Sequence, residues 1–99
     1  SNKENHPLKE SVKEAKKILS LPVGQRLLED DSLSKDKDKV ELLLDALSRI
    51  MHAALVTAVK NGNVTTKWQA GLENVLFSRK VIRYNTNTKL VLDNLMLNI

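Results

Sequence analysis

The sequence predicts an all-α fold, a compact bundle of about five helices. Three observations support this prediction: few helix-breaking residues, an aliphatic composition, and apolar side chains that recur at helical spacing. The 99 residues include only three Gly and two Pro, which favours long helices over a turn-rich β fold. Hydrophobic residues make up 41% and charged residues 28% of the chain, as in a single globular domain. Because only 3% of the residues are aromatic, the core is expected to consist mostly of Leu and Val.

The first predicted helix runs from Pro7 to Leu21. Pro7 suits the first helical position, where a missing N–H costs no helical hydrogen bond. The apolar residues that follow recur at helical spacing, with Lys and Glu between them. Residues 1–6 are expected to be a disordered segment or the remnant of a tag, so the helical domain is predicted to span 7–99.

The second predicted helix is short and runs from Pro22 to Glu29. A proline disfavours helical backbone at the residue before it and can open the next helix. The charged run from Glu29 to Lys39 is interpreted as a solvated loop that leads into the start of the third helix. Ser34 in this loop is the predicted N-cap of the third helix.

The third predicted helix, Lys35 to Lys60, has the strongest periodic pattern in the chain. Its apolar side chains form one stripe, about 140° wide at about 100° per residue. The stripe consists of Val40, Leu43, Leu44, Leu47, Ile50, Met51, Ala54, Leu55 and Ala58. Asn61 and Gly62 follow, and this pair favours the left-handed backbone that ends a helix. A single apolar face is typical of a helix that contributes to a core.

The fourth predicted helix runs from Thr66 to Tyr84, with Thr65 or Thr66 as its cap. It has two apolar stripes on roughly opposite sides, which predicts that it is covered on two sides. Gly71 would allow another helix to approach closely. The first stripe is Trp68, Leu72, Val75, Leu76 and Ile82, and the second is Ala70, Phe77, Val81 and Tyr84.

The fifth predicted helix, Thr88 to Asn98, follows the turn-forming sequence Asn-Thr-Asn-Thr. Its side chains also form two stripes: a broad one, and a narrow one made by Leu90 and Leu97. A short helix this apolar is either a central core helix or a helix whose second face meets another chain. The broad stripe is Val91, Leu92, Leu95, Met96 and Ile99.

The residue types needed for catalysis and metal binding are scarce. The chain has no Cys, two His and three separate Gly, so it offers no thiolate site, no zinc pattern and no phosphate-binding glycine loop. No apolar run in the sequence approaches the roughly 18–20 residues that span a bilayer. The absence of Cys is compatible with a reducing cytoplasm. We therefore expect a cytoplasmic, non-enzymatic domain without cofactor, metal, membrane or small-molecule substrate.

Two stretches of the sequence resemble one known family. The first begins at Leu27 as Leu-Leu-Glu-Asp-Asp-Ser-Leu and continues into the Leu-rich segment at Leu42, and the second runs from Ile82 to Leu97. Together they resemble the C-terminal collar domain of bacterial DNA polymerase III clamp-loader subunits, most closely the delta-prime subunits. In that family the last helix follows an Asn-x-Asn turn and carries Leu, an acidic residue and a Leu-rich end. The residues that match this pattern are Asn85, Asn87, Leu90, Leu92, Asp93 and Leu95.

The resemblance implies an oligomerisation function in DNA replication. In clamp loaders, five subunits join through these helical domains into a closed collar, which holds the ATPase modules that load the sliding clamp onto primed DNA. By this resemblance the partners are the other clamp-loader subunits, and contact with DNA is indirect or weak. The chain carries no AAA+ module, so it is expected to be an excised C-terminal domain. Such a domain need not oligomerise alone, because its natural neighbours are different chains.

Two hypotheses about function follow. In the first, the domain is an oligomerisation module of a clamp loader, and the apolar side chains in excess of one core form the partner interface: Phe77, Val81, Leu90 and Leu97. In the second, it is a free-standing helical nucleic-acid-binding domain. Residues 60–99 hold six basic against two acidic residues, and Arg79, Lys80 and Arg83 could contact phosphates or an acidic partner. The same three side chains could equally form a solvated basic face or complement the helix dipole.

Overall fold

The described part of the chain forms five α-helices, as the sequence predicts. The computed structural model describes residues 2–84 and 87–99, with side chains from Lys9 onward, and these ranges contain no β-strand. In chain order the helices are α1 (Asn2–Ser20), α2 (Val23–Leu33), α3 (Lys37–Lys60), α4 (Thr66–Ile82) and α5 (Thr88–Asn98). α3 lies at the centre and packs against α1 and α4, while α5 packs against α4 and α2.

The core is aliphatic, and α3 and α5 supply most of it. Among the described residues its fully buried members include no aromatic side chain, which agrees with the composition. Each member is at most 8% exposed, as in a close-packed interior. The members are Ala15, Ile18, Val40, Leu43, Leu44, Ala46, Leu47, Met51, Val75, Ile82, Val91, Leu92, Leu95 and Met96.

The ends of α3 lie close to the predicted ends, but the capping residue differs. The N-cap is Asp36, whose carboxylate accepts a hydrogen bond from the backbone N–H of Lys39 at 3.2 Å. The predicted cap, Ser34, instead ends α2, where its backbone N–H donates to the carbonyl of Asp30. Asp36 has the extended backbone that an N-cap needs, whereas Ser34 is helical. Gly62 has a φ of 68° and confirms the predicted helix stop.

α1 and α2 are longer than predicted. α1 begins at Asn2, so its backbone is helical over 2–6, the segment expected to be disordered or a tag remnant. The side chains of residues 2–8 lie outside the described part. α2 continues through the charged residues to Leu33, which corrects their interpretation as a loop. Leu27, Asp30 and Leu33 follow one another at helical spacing and face the interior, so the inward face of α2 extends past the predicted end at Glu29.

α4 has the two-sided character that its sequence predicts, but the two sides differ in what covers them. Val75 and Ile82 lie in the core. Gly71 allows the close approach predicted for it, because a Cβ atom built there would lie 3.0 Å from Sδ of Met51 on α3. The other side is open, with Phe77 63% exposed.

α5 begins and ends at the predicted residues. Its N-cap is Asn87, whose side-chain oxygen accepts a hydrogen bond from the backbone N–H of Leu90 at 3.0 Å. Asn85 and Thr86 of the same turn lie outside the described residues. Val91, Leu92, Leu95 and Met96 are buried, whereas Leu90 and Leu97 are 60% and 59% exposed. α5 is therefore a core helix on one side and an uncovered apolar helix on the other.

Arg26 of α2 ties together the ends of two other helices. Its guanidinium donates to the carbonyls of Ile18 (2.9 Å), Leu19 (3.2 Å) and Ile99 (3.2 Å). The first two carbonyls belong to the last turn of α1, where backbone acceptors lack helical partners, and the third follows α5. One side chain thus joins α1, α2 and the end of α5.

α3 passes a length and composition test for crossing a membrane. Its 24 residues include a window with a mean hydropathy of 1.6, although no uninterrupted apolar run in the sequence is long enough to span a bilayer. Helices in the core of a soluble protein have the same properties. Here the apolar stripe of α3 is the side that packs on α1 and α4.

Candidate docking surface

The four predicted interface residues line one groove. Phe77 and Val81 lie one turn apart on α4, and Leu90 and Leu97 lie two turns apart on α5. Because α4 and α5 pack side by side, the four side chains border a groove of about 390 Å³. Its remaining lining residues are Ser78, Val91, Asp93 and Asn94.

The groove is apolar and open to solvent. Phe77, Leu90 and Leu97 are each about 60% exposed, and Val81 is half-buried against the core. Single exposed apolar side chains are common on proteins, but a contiguous group is a mark of an interaction site. We call this groove, defined by Phe77, Val81, Leu90 and Leu97, the α4–α5 groove.

The three predicted basic residues meet at a different place on α4. Arg79, Lys80 and Arg83 border a shallow depression of about 240 Å³ together with Leu76 and Tyr84. Lys80 and Arg83 are exposed.

Arg79 is directed toward α3, where it has partners within the chain. Its Nη1 lies 3.6 Å from Oδ1 of Asp45 and 3.4 Å from the hydroxyl of Ser48. Ser48, which the sequence places on the polar side of α3, is only 8% exposed. Arg79 thus contributes to the α3–α4 contact, and Lys80 and Arg83 are the two members of the set that face solvent.

A carboxyl pair next to the α4–α5 groove was missed by the sequence analysis. Asp30 of α2 is completely buried, and its carboxyl faces that of Asp93 on α5, close enough for the two to share a proton. Both oxygens of Asp30, and Oδ1 of Asp93, are buried and accept no hydrogen bond from any N–H or hydroxyl group in the structure. Asp93 also lines the groove, so the pair connects α2 to the floor of the docking surface.

Lys89 covers the outer side of this pair. Its ammonium donates to Oδ2 of Asp93 at 2.7 Å and lies 3.4 Å from Oδ1 of Asp31. Lys89 therefore connects α5 to α2 from the solvent side, one turn before Asp93. We refer to Asp30, Asp31, Lys89 and Asp93 as the α2–α5 cluster.

The environment shifts the pKa of the two central carboxyls in opposite directions. Burial, followed by the hydrogen bond and the negative charge of Asp93, raises the pKa of Asp30 from 3.8 to about 8. Burial also opposes ionisation of Asp93, but hydrogen bonds from Lys89 and Asp30 and the charge of Lys89 outweigh it and lower the pKa of Asp93 below 3.8. The opposite directions of the two pKa shifts favour a proton on Asp30 while Asp93 stays ionised beside Lys89.

No group of three or more His, Cys, Asp or Glu side chains in the described part of the chain is arranged to hold a metal ion.

Comparison with known proteins finds no matching family model, no matching curated protein and no matching solved structure.

Proposed function

We propose that this chain is an assembly domain that docks a partner chain in the α4–α5 groove, in the manner of a clamp-loader collar domain. The observation that carries the proposal is the groove itself. Two helices that already fill the core with one face present a second, contiguous apolar face to solvent. The collar form of the proposal and its role in DNA replication rest on the sequence resemblance.

The apolar side chains of the groove offer a useful binding free energy. Fully burying a Leu or Phe side chain stabilises by about 1.5–3 kcal/mol. Since Phe77, Leu90 and Leu97 are each about 60% exposed, covering all three would contribute roughly 3–5 kcal/mol before the cost of association. That is enough for the groove to form the central anchor of a larger interface.

The residues that match the family pattern also have defined roles in α5. Asn87 caps the helix, and Leu92 and Leu95 are buried in the core. Leu90 borders the groove, and Asp93 pairs with Lys89. The pattern thus describes a helix that is fixed on one face and exposed on the other, which supports a docking role for that second face.

A double substitution tests the proposal. Leu90→Gln with Leu97→Gln removes two apolar groups from the groove without touching the buried stripe of α5. We expect capture of the other clamp-loader subunits in a pull-down to fall at least tenfold, while the melting temperature changes by only a few degrees. Leu28→Gln is the matched control, because Leu28 is 72% exposed on α2 and lies outside the groove.

Two results would contradict this function. If the double variant captures its partners as well as the unmodified chain does, the groove is not part of the interface. A loss of folding as large as the loss of capture would make Leu90 and Leu97 ordinary packing positions. The control should behave like the unmodified chain in both measurements.

Nucleic-acid binding is the second candidate function, favoured by the exposed pair Lys80 and Arg83. If these side chains contact phosphates, binding to a DNA duplex should weaken as salt rises, and Lys80→Gln with Arg83→Gln should reduce the salt slope by about 2. Lys13→Gln with Lys16→Gln on the exposed side of α1 is the charge-matched control. Absence of DNA binding at low salt would exclude this candidate.

A further inference from the structure

The contact between α2 and α5 contains two carboxyl groups that need a proton between them. Three of their four oxygens are buried and have no hydrogen-bond partner in the structure, and a buried polar atom without a partner is costly. A proton on Asp30 turns that carboxyl into a donor, and Oδ1 of Asp93 is the acceptor it lacks. The fourth oxygen, Oδ2 of Asp93, is already occupied by Lys89.

We propose that the proton shared by Asp30 and Asp93 is a pH-sensitive latch that holds α5, and the docking groove on it, against α2. Loss of the proton would leave two negative charges facing each other in a buried contact, with only Lys89 to balance them. α5 would then loosen from α2, and Leu90 and Leu97 would no longer be held in register with α4. The consequence for docking rests on the proposed function, but the latch itself does not.

The charged groups that act on Asp30 come from two helices. Asp31 is its neighbour on α2, and Lys89 and Asp93 face it from α5. In the described part of the chain, α1 and α3 contribute no charge to this set, and Lys17 of α1 is instead paired with Glu29 at 3.2 Å. A change in the protonation of Asp30 should therefore act on the α2–α5 contact and leave the α1–α3 contact unchanged.

The direction of the pH dependence follows from the two shifted carboxyls. Because the pKa of Asp30 is raised on folding, its contribution to stability is complete below pH 3.8 and is lost as the pH rises toward about 8. The pKa of Asp93 is lowered, so its contribution is present above pH 3.8 and is lost only as the pH falls below that value. Between pH 5 and pH 8 the two effects do not overlap, and Asp30 determines the slope.

The first test uses the unmodified chain and therefore does not depend on any variant folding. Carboxyl ¹³C NMR of the side chains, recorded across the pH range, gives the titration midpoint of each Asp. We expect the Asp30 midpoint well above that of the exposed Asp31, and near pH 8. A midpoint for Asp30 at or below that of Asp31 would overturn the latch.

The second test compares melting temperatures at pH 5 and pH 8. The unmodified chain should melt lower at pH 8, by on the order of 10 °C. Asp30→Asn should abolish most of this difference, because an amide donates to Asp93 without titrating. Asp31→Asn is the matched control, since the Asp31 side chain is 67% exposed, and it should keep the slope of the unmodified chain. An Asp30→Asn chain that keeps that slope would contradict the proposal.

The third test locates the opening. Amide hydrogen-exchange protection of α5 should fall between pH 5 and pH 8 in the unmodified chain and not in Asp30→Asn, while protection of α3 stays the same in both. Equal changes in α3 and α5 would refute a local latch. None of these measurements involves a partner chain, so a failed pull-down with an intact latch would count against the proposed function alone.

Discussion

The hydrogen bonds of Arg26 allow the clearest prediction of a stability change. Arg26→Met keeps most of the apolar stem but removes the guanidinium that donates to Ile18, Leu19 and Ile99. A hydrogen bond from a charged group contributes about 1.5–3 kcal/mol where the acceptor is left dry. Leu19 and Ile99 are half-buried, so water can partly replace the donor there, whereas Ile18 is completely buried; we therefore take about 1 kcal/mol as the mean for the three bonds. The free energy of unfolding should fall by about 3 kcal/mol in total.

Urea and thermal unfolding followed by circular dichroism measure this loss. For a domain of this size, about 3 kcal/mol corresponds to a melting temperature lower by roughly 12–24 °C. The stability of Arg26→Lys should lie between that of the unmodified chain and that of Arg26→Met, because an ammonium cannot span three acceptors as a planar guanidinium does. Arg49→Met is the control: Arg49 pairs with Asp45 within one helix and its side chain is 63% exposed, so the loss should stay within about 0.5 kcal/mol. If Arg26→Met costs no more than Arg49→Met, the reasoning about Arg26 is wrong.

Two pairs of substitutions test the description of α5. Leu92→Ala should lower the free energy of unfolding by about 2–5 kcal/mol, because Leu92 is completely buried and the change leaves a cavity; Leu97→Ala, on the exposed side, should cost less than about 1 kcal/mol. Equal effects would mean that the two faces of α5 have been assigned wrongly. Asn87→Ala should cost about 1 kcal/mol by removing the cap on the Leu90 N–H, and Asn63→Ala, at an exposed loop position, should cost less when measured by the same unfolding curves.

Periodicity predicted the helices that have a strong apolar pattern. α3 and α5 have the predicted ends within two residues, because their inward positions are almost all aliphatic. The predicted α2 ended too early because Asp30 occupies one of its inward positions, and a carboxylate in a charged run is typical of a solvated loop. Local patterns could not reveal that this side chain is buried, because its burial depends on α5, which lies far away in sequence.

The α4–α5 groove and the α2–α5 cluster also differ in how far the sequence alone could predict them. That Phe77, Val81, Leu90 and Leu97 border one groove could be anticipated from the sequence, because each is an apolar residue outside the stripe that its helix needs for the core; their role as a partner interface stays a prediction. The pairing of Asp30 with Asp93, and the three bonds of Arg26, join residues that no spacing rule connects. Only the tertiary arrangement brings them together, and the one available hint was a run of acidic residues beside a Leu-rich helix.

The close crossing of α3 and α4 has a consequence for oxidative damage. Met51 is 3% exposed, and its sulfur lies only 3.0 Å from the position that a Cβ atom at Gly71 would take. Oxidation to the sulfoxide would add a polar oxygen to this sulfur, at a crossing that has no room for it. The folded domain should therefore shield Met51 from oxidants. A chain oxidised while unfolded should be unable to restore the contact between α3 and α4 until the sulfoxide is reduced.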